Sequence, residues 1–453
     1  MPGESSSPAT ATGRAQRARL NDNQGEDMTS DTTASNLAAE QSASGPGTAP
    51  AEEPYLAGVR VLDFTQYLAG PACTRLLVEL GAEVIKVEMS PWGDPTRAGV
   101  PRRNGRAGGF IQQNRGKRSL CVDLRRPEGV ELVKQLVPHV DVLVENYSHG
   151  VMARRGMDYP AMSALNPRLI YASVSGFGQT GPLRHKTSFD FIAQAYAGVM
   201  HMTGEADGPP TFVGLGVGDT NAGLHAFAGI GYALYRRDRT GRGTHIDISM
   251  VDALFHMQET AVHAASMTDG EFVPWRQGRH YQPLSPAGSF KAPQGWIVIL
   301  CTQGQIDGLF AAMGQPELAQ HPDFRNNNGR LEHRDELTRL IETWMATFAS
   351  DEEVIAVLER HRVPCGPVLS PADARHHPYF LEREMVREVH DPLAGSFLIP
   401  GFPIKFSDRG PELDLATANL GQDNHGILHD LLGYDEATIA ELEAQGVLAA
   451  RDR

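Results

Sequence analysis

Asp219 is the residue whose surroundings most strongly suggest chemistry. It lies in the segment GDTNAG (218–223), directly before an apolar stretch with helical spacing at 222–236. A carboxylate at a helix start can be an N-cap that accepts backbone N–H groups and is favoured by the helix dipole. It can also be a nucleophile, because small neighbours admit a substrate and free amides can stabilise an oxyanion. Both roles fit one residue, and the sequence leaves both open.

Clusters of basic residues follow several of the predicted strands. Guanidinium and ammonium groups of this kind could hold a ligand that carries several phosphates. Each cluster alone is also typical of a solvated turn or helix end. The clusters are Lys117-Arg118, Arg125-Arg126, Arg154-Arg155 and Arg184-His185-Lys186. The sequence therefore permits a nucleotide-like ligand without requiring one.

Motifs for other kinds of chemistry are missing from the sequence. The 17 histidines include no HExxH segment, and the 4 cysteines (Cys73, Cys121, Cys301 and Cys365) form no CxxC pair. A metal site and structural disulfides therefore lack support, and we expect a reducing, cytoplasmic compartment. The sequence also contains no GxSxG elbow, Walker loop or glycine-rich dinucleotide fingerprint.

The charge balance restricts the partners. Lys and Arg number 41 against 55 Asp and Glu, which gives a formal net charge of −14. Such an acidic chain disfavours duplex nucleic acid and anionic membranes as partners. No apolar run approaches the length of a membrane span, so no membrane partner is expected. Residues 1–54 are poor in large apolar side chains and are predicted to be a disordered tail.

The elements that must position Asp219 alternate between strands and helices. Residues 59–62 predict a strand, 72–80 a helix that ends at Gly81, and 84–87 a second strand. This unit has the length of a parallel crossover. The pattern is repeated by a predicted helix at 127–137 and strands at 140–144 and 169–174. We therefore predict an α/β fold with a doubly wound parallel sheet that binds ligands beyond the carboxyl ends of its strands.

The second half of the chain predicts long apolar helices and a smaller domain. Residues 222–236 and 246–265 are apolar on nearly every side, which predicts helices covered in the domain centre or at a subunit interface. A hairpin over 289–300 opens the smaller domain. The predicted organisation is a tail over 1–54, a large domain over 55–270, a smaller domain over 271–375 and a return segment over 376–453.

These segments together resemble the class III (CaiB/BaiF-type) CoA-transferase family over residues 56–448. The matching motifs are spread along the chain and include GVRVLDFTQYLAGP, LGAEVIKVE, KRSLCVDLRRPEG, VENYSHGVMARRG, NPRLIYASVSGFGQTGP, VGDTNAG and TGRGTHIDISMVDAL. The resemblance implies a Rossmann-like large domain, a smaller α+β domain and an interlocked ring dimer. The partner chain would be a second copy or a homologous second subunit.

The resemblance also implies roles for individual residues. Asp219 matches the family's nucleophile, which attacks an acyl-CoA thioester and forms a mixed anhydride on the way to a new CoA thioester. CoA enters as a thioester substrate, and neither a permanently bound cofactor nor a metal is implied. Arg154 is the expected phosphate partner. The positions that match CoA contacts are Leu68, Ala69, Val122, Asp123, Leu124, Arg125, Asn146, Tyr147, Ser148, Arg154, Thr187, Phe189 and Asp190.

Departures from the family pattern narrow the substrates. Leu68 stands where formyl-CoA:oxalate transferases carry Gln, and residues 277–280 replace their glycine-rich loop, which disfavours oxalate as the acceptor. Met89 replaces an arginine, which removes one expected CoA contact. Phe189 stands where the related α-methylacyl-CoA racemases carry His, which disfavours two-base racemisation.

Three functions remain open. The opening segment and residues 144–156 are most similar to transferases that use succinyl-CoA with a dicarboxylate such as malate or citramalate. The alternatives are a 2-methylacyl-CoA racemase and a CoA-binding subunit of a two-subunit transferase. A second carboxylate on the acceptor would need a cation, for which the candidates are Arg97, Arg102, Arg103, Arg279 and His280.

Overall fold

The computed structural model describes residues 53–408, 413 and 415–451. The predicted tail, residues 1–54, therefore lies outside the described residues except for Glu53 and Pro54. All four cysteines are described, and all are free thiols. No helix within the described ranges is long and apolar enough to cross a membrane.

Six parallel strands form the central sheet. Across the sheet they are β5 (Arg118–Val122), β2 (Glu83–Met89), β1 (Arg60–Asp63), β6 (Val142–Glu145), β7 (Ile170–Ser175) and β8 (Thr244–Ser249). The chain starts in the middle, builds outward through β2 and β5, and crosses back to build the other half. Ligand crevices in such sheets form where the direction of building reverses, which here is between β1 and β6.

Both faces of the sheet are buried. Successive strand residues point to opposite faces, so Val61 and Val84 belong to one buried cluster while Leu62 and Ile85 belong to another. Helix residues complete both clusters, with Ala226 on the first face and Leu132 on the second. The parallel α/β sheet predicted from the sequence is confirmed.

Ten helices accompany the central sheet: eight lie between β1 and β8 in the sequence, and two follow β8. One of them contains the candidate nucleophile. They are α1 (Ala69–Glu79), α2 (Gly108–Asn114), α3 (Pro127–Leu136), α4 (Val151–Arg154), α5 (Tyr159–Leu165), α6 (Asp190–Tyr196), α7 (Val199–Met202), α8 (Val217–Thr240), α9 (Met250–His256) and α10 (Ala261–Met267). A short hairpin, β3 (Arg102–Arg103) with β4 (Arg106–Ala107), precedes α2. Helices α1 and α8 pack against each other on one face of the sheet.

A second antiparallel sheet has its own buried cluster. It consists of β9 (Ala287–Lys291), β10 (Trp296–Leu300) and β11 (Cys365–Pro367), with β10 in the middle. The helices here are α11 (Ile306–Ala312), α12 (Asn327–Glu332), α13 (Arg334–Met345) and α14 (Asp351–Arg360). The predicted hairpin over 289–300 is confirmed, while the domain boundaries stay a prediction.

The final segment returns to the central sheet. After α15 (Pro371–Ala374), α16 (Pro378–Glu382) and the hairpin β12 (Val386–Asp391) with β13 (Gly395–Pro400), it ends in α17 (Asn424–Leu432) and α18 (Glu436–Ala444). Ile427 and Ile439 of the last two helices are fully buried in the same cluster as Leu62. The far end of the sequence thus helps to cover the strands that begin the fold.

Two elements differ from the sequence prediction. Residues 246–265 do not form one helix: the edge strand β8 takes the first of them, because THIDIS alternates apolar and polar side chains with a period of two. Helices α9 and α10 take most of the remainder. The helix predicted from residue 222 begins at Val217. Asp219 is therefore inside the helix instead of at its N-cap position.

Candidate active site

A cleft of about 260 Å³ opens at the carboxyl ends of β1, β6 and β7. Its walls are the loops that follow these strands together with residues 184–189, and Met250 of α9 contributes to it. It lies at the switch point of the sheet, where a ligand was expected. Of the predicted nucleophile and CoA contacts, those that line it are Ala69, Asn146, Tyr147, Ser148, Thr187, Phe189 and Asp219.

Asp219 is the third residue of α8, whose N-cap is Gly216. The N-cap role considered from the sequence is therefore wrong, because the helix begins two residues before the carboxylate. Burial raises the pKa of Asp219 to about 7, and the nearby charge of Asp190 adds to the effect. An aspartate in the first turn of a helix is ordinarily stabilised as the anion, which lowers its pKa. The surroundings of Asp219 shift its pKa in the opposite direction.

The amides at the start of α8 are all engaged. The N–H of Val217 donates to the carbonyl of Leu215 at 2.8 Å, and that of Thr220 donates to Gly216 at 2.9 Å. Between them, the N–H groups of Gly218 and Asp219 donate to Asp190 Oδ1 at 2.6 and 3.1 Å. The free amides that the sequence suggested as oxyanion donors at this helix start are therefore not available there.

The start of α1 faces the same cleft with its amides open. Its N-cap, Leu68, makes no side-chain capping hydrogen bond. Within the described ranges, the N–H groups of Ala69 and Gly70 have no acceptor, and Ala69 lines the cleft. The two helices touch closely, since a side-chain carbon placed on Gly223 would lie 2.7 Å from the carbonyl oxygen of Ala69. Unpaired amides at a helix start are suited to an anion or an oxyanion.

Hydrogen bonds between neighbouring loops fix the entry to α1. Gln66 N–H donates to Asn146 Oδ1 at 2.8 Å, and Asn146 Nδ2 donates back to the carbonyl of Gln66 at 2.7 Å. Tyr67 has a φ of 62°, in the left-handed region that non-glycine residues seldom adopt. Its N–H donates to Asp94 at 3.3 Å, and its ring meets that of Phe189 edge to face.

A buried group of charges lies beneath this entry loop. Asp63, at the end of β1, accepts the N–H and the hydroxyl of Thr65 and pairs with Lys117 at 3.0 Å. Burial alone would raise the pKa of Asp63, but Lys117 and Lys86 outweigh it and lower the value to about 2. Burial lowers the pKa of Lys117 to about 8, although Asp63 opposes the shift. Lys86 also pairs with Asp94 at 3.0 Å and donates to the carbonyl of Thr65.

Glu145 is a second buried carboxyl that sequence reasoning missed. It ends β6, and its Oε2 accepts the N–H of Tyr147 at 2.8 Å, which holds the Asn146–Ser148 loop at the cleft. Burial raises the pKa of Glu145 to about 7. The sequence signal that could have found it is an acidic residue at the end of an otherwise apolar strand, where a single carboxyl must be buried.

The other predicted CoA contacts lie outside the lining of the cleft. Leu68 is next to the cleft: its Cδ2 would lie 2.7 Å from a side-chain carbon placed on Gly216. Val122 ends β5, and residues 123–125 follow it at the carboxyl ends of the strands, where Asp123 and Arg125 pair at 2.7 Å. Arg154 ends α4 and is exposed. Asp190 is buried behind Asp219. Two cations of the basic clusters, Arg184 and Lys186, do line the cleft.

None of the five cations suggested for a second carboxylate lines this cleft in the described chain. Arg97 pairs with Glu88 at 2.6 Å, and Arg279 pairs with Glu342. Arg103 donates to the carbonyls of Ala394 and Ser396. Their positions within one chain therefore leave the cation for an acceptor's second carboxylate unassigned.

One group could hold a metal ion. Ligand atoms of Asp323, His333 and Glu336 lie within 4.8 Å of one another in the described ranges. His333 and Asp323 are 3.6 Å apart, an ion pair that accounts for the grouping without a metal. None of the three lines the cleft, so the group has no evident part in its chemistry.

The cleft combines a candidate carboxylate nucleophile with open amides and cations at the switch point of a parallel α/β sheet. This arrangement is typical of an enzyme that transfers an acyl group. Comparison with known proteins agrees. The model of CoA-transferase family III matches residues 56–424. The chain therefore belongs to CoA-transferase family III.

Characterised relatives are similar over nearly their full lengths. Succinyl-CoA–D-citramalate CoA-transferase of Chloroflexus aurantiacus is 37% identical over 393 residues, which cover 86% of this chain and 97% of that protein. Succinyl-CoA:mesaconate CoA-transferase of Haloarcula hispanica is 41% identical over 380 residues, 80% of this chain and 94% of that one. The crystal structure of a CAIB/BAIF family protein from Brucella suis has a TM-score of 0.75 and 34% identity, covering 84% of this chain and all of that one.

Proposed function

We propose that the enzyme transfers CoA from succinyl-CoA to a dicarboxylic acid of four or five carbons, such as malate or citramalate, with Asp219 as the nucleophile. The observation that carries this proposal is a half-buried carboxylate with a pKa raised to about 7 in the lining of the cleft. Succinyl-CoA and the five-carbon acceptors are taken from the relatives named for succinyl-CoA with citramalate or mesaconate, and malate is the four-carbon analogue of citramalate. The chemistry needs neither ATP nor a metal, because an acyl anhydride conserves the activation of the thioester.

Each half of the reaction has two steps, and each step forms one acyl bond and breaks one. The Asp219 carboxylate attacks the thioester carbon of the donor, which expels CoA thiolate and leaves a mixed anhydride. The thiolate attacks the aspartyl carbonyl of the anhydride, so that succinate leaves and an aspartyl-CoA thioester remains. The acceptor carboxylate then repeats these steps in reverse order, and the new CoA thioester departs as the Asp219 carboxylate is restored.

The start of α1 supplies the stabilisation that α8 lacks. Each attack places negative charge on a carbonyl oxygen, and hydrogen-bond donors fixed in advance lower the energy of that state. The N–H groups of Ala69, which lines the cleft, and of the adjacent Gly70 have no acceptor in the described chain, so we assign this stabilisation to them. Arg184 and Lys186 in its lining can attract the anionic phosphates or carboxylates of the two substrates.

The test is substitution of the nucleophile with a matched control. Asp219→Ala should reduce transfer by roughly 10⁴-fold or more while the protein still binds CoA. Asp238→Asn, which removes an exposed carboxylate near the opposite end of the same helix, should leave the rate unchanged. Hydroxylamine added during turnover should convert Asp219 to a hydroxamate that peptide mass spectrometry can locate. Near-normal turnover by Asp219→Ala would contradict the mechanism.

Substrate identity needs a separate experiment. Succinyl-CoA is offered with a panel of mono- and dicarboxylic acids, and the new CoA ester is identified by mass. We expect malate, citramalate or a close analogue to give the fastest reaction. Exchange of the α-proton of a 2-methylacyl-CoA in D2O without any acceptor acid would instead favour racemisation.

We also propose that the active enzyme is a homodimer. Helix α8 exposes Leu224, Tyr232 and Tyr235 in the single chain, and large apolar side chains in the open are typical of an interface. Light scattering of the purified protein should give twice the chain mass. Activity that appears only after a homologous second chain is added would favour the two-subunit alternative.

A further inference from the structure

Asp190 occupies an unusual position behind the nucleophile. It is the first residue of α6, and only 6% of its surface is exposed. Its Oδ1 accepts the N–H groups of Gly218 and Asp219, and its Oδ2 accepts Gln194 Nε2 at 2.5 Å. A carboxylate from one helix thus caps the start of another, since α6 and α8 pack together.

Gln194 extends this support to the segment that leads into α8. Its side chain is fully buried, and its Oε1 accepts the N–H of Val213 at 2.9 Å. Its Nε2 also donates to the carbonyl of Leu215 at 3.3 Å. Asp190 and Gln194 together therefore hold the backbone on both sides of Gly216, the N-cap of the nucleophile's helix.

The charge of Asp190 is not balanced by a cation. Asp190 forms no ion pair with any residue in the described ranges, and three neutral N–H donors satisfy its oxygens. The only contributions that raise the pKa of Asp219 are burial, which is larger, and the charge of Asp190. The other ionisable groups that face α8 do not shift the pKa of Asp219. They are Arg184, Lys186 and His149 in the cleft, Arg75 and Glu79 on α1, His245 and Asp247 on β8, and Asp252 and His256 on α9.

We propose that Asp190 is a positioning residue for Asp219, which fixes the backbone of the nucleophile and keeps its carboxylate reactive by placing a second negative charge beside it. This inference rests on the proposed function, in which Asp219 attacks the thioester. It differs from the CoA contact that the family resemblance implied for Asp190, because the oxygens of this carboxylate already accept three hydrogen bonds from the protein.

The charge can be removed while the shape is kept. Asp190→Asn retains an oxygen that can accept the Gly218 and Asp219 amides, but it lacks the negative charge. The pKa of Asp219 should then fall, so the rise of kcat/KM with pH should move to lower pH by roughly 1 unit. Asp190→Ala also removes the acceptor and should lower kcat at every pH. The control is Asp238→Asn, which removes a charge about 28 Å away along α8.

Gln194→Met separates the two contributions. It removes the hydrogen bonds that the Gln194 side chain makes with Asp190, Val213 and Leu215 but keeps the charge of Asp190, so kcat should fall while the midpoint of the pH profile stays at the wild-type value. If Asp190→Asn does not fold, Gln194→Met decides the positioning role, and the pH midpoint of Asp190→Ala decides the role of the charge. Thermal unfolding and CoA binding are measured for every variant to separate folding from catalysis.

The outcomes distinguish this inference from the proposed function. A wild-type pH midpoint in Asp190→Asn would overturn the role of the charge, and a raised KM for the acyl-CoA with unchanged kcat would show a CoA contact instead. Full kcat in Gln194→Met would overturn the role in positioning. Asp219→Ala is assayed in parallel: if it keeps its turnover, the proposed function fails whatever the Asp190 variants do.

Discussion

The two helices that meet at the cleft begin in opposite ways. At the start of α8 every early amide has an acceptor, and Asp190 takes two of them. At the start of α1 the N-cap residue, Leu68, contributes no capping bond, and the amides of Ala69 and Gly70 have no acceptor in the described chain. Within one site, one helix start is closed and the other is open.

In the proposed mechanism, this difference separates two tasks, nucleophilic attack by Asp219 and stabilisation of the substrate oxyanion, that a single helix start would perform poorly. Open amides beside Asp219 would stabilise its carboxylate and make it a weaker nucleophile. Burial raises the pKa of Asp219, and the charge of Asp190, which also engages those amides, adds to the effect. The open amides at Ala69 and Gly70 are free to stabilise charge that develops on the substrate instead. Variants that alter one helix start alone test this division.

The largest expected effect concerns Asp63 and Lys117, the buried ion pair beneath the loop that leads into α1. Asp63→Asn leaves Lys117 buried without its carboxylate partner, which should lower the free energy of unfolding by roughly 3–5 kcal/mol. Hydrogen exchange should accelerate at residues 65–70, which Asp63 supports, and remain slow at 216–220. Equal acceleration at both helix starts would show that they are not independently supported.

A matched control and a pH series define this prediction further. Glu83→Gln removes partly exposed ion pairs with Arg60 and Arg118 on the two neighbouring strands and should cost at most about 1 kcal/mol for each pair. Asp63 has a pKa lowered to about 2, so its contribution is present above its ordinary value near 3.8 and is lost as the pH falls through 2. Chemical denaturation at several pH values measures this.

The next effect comes from Glu145, which supports the loop that pairs with Gln66. Its pKa is raised from an ordinary 4.5 to about 7, so the folded state binds the proton more tightly than the unfolded state. The stabilisation is full below pH 4.5 and is lost as the pH rises through 7. Glu145→Gln keeps an acceptor for the Tyr147 amide and should raise stability relative to wild type by up to about 3 kcal/mol at pH 8. A difference that does not change with pH would contradict the raised pKa.

The sequence predicted the parts of this site that depend on local patterns. Apolar runs separated by turns predicted the strands. The small residues around Asp219 were interpreted as room for a substrate, which stays a prediction, whereas in the fold Gly223 lets α8 approach the carbonyl oxygen of Ala69 on α1. The cap could not be predicted. Asp190 lies 29 positions before Asp219, and the two meet only after α6 packs on α8. No local pattern marks a carboxylate as the cap of a later helix.

The same limit explains the errors. The long helix was predicted to start at residue 222 because the segment 217–221 carries small and polar residues that favour turns and caps. In the fold, the N–H groups of Gly218 and Thr220 donate to Asp190 and to the carbonyl of Gly216, which stabilises these residues as the first turn of α8. The apolar stretch over 246–265 predicts a helix, and its first residues belong instead to the edge strand β8. Their alternation of apolar and polar side chains is too short to outweigh the apolar stretch that follows.

The smallest expected effect concerns the point where the two helix starts touch. A methyl group on Gly216 would lie 2.7 Å from Leu68 Cδ2 and 3.6 Å from Asp219 Oδ2. The Leu68 side chain can rotate away, so Gly216→Ala should change the free energy of unfolding by less than about 1 kcal/mol. The N-cap of α1 and the nucleophile would nevertheless be displaced relative to each other, and kcat/KM should fall about tenfold, because reactivity depends on displacements well below 1 Å. Gly231→Ala is the control in the same helix, since a methyl group there meets nothing within 4 Å, and it should stabilise the helix by roughly 0.5–1 kcal/mol without loss of activity. If both variants kept full activity, the relative position of the two helix starts would be irrelevant to transfer, and the closed and open starts would be independent features of the fold.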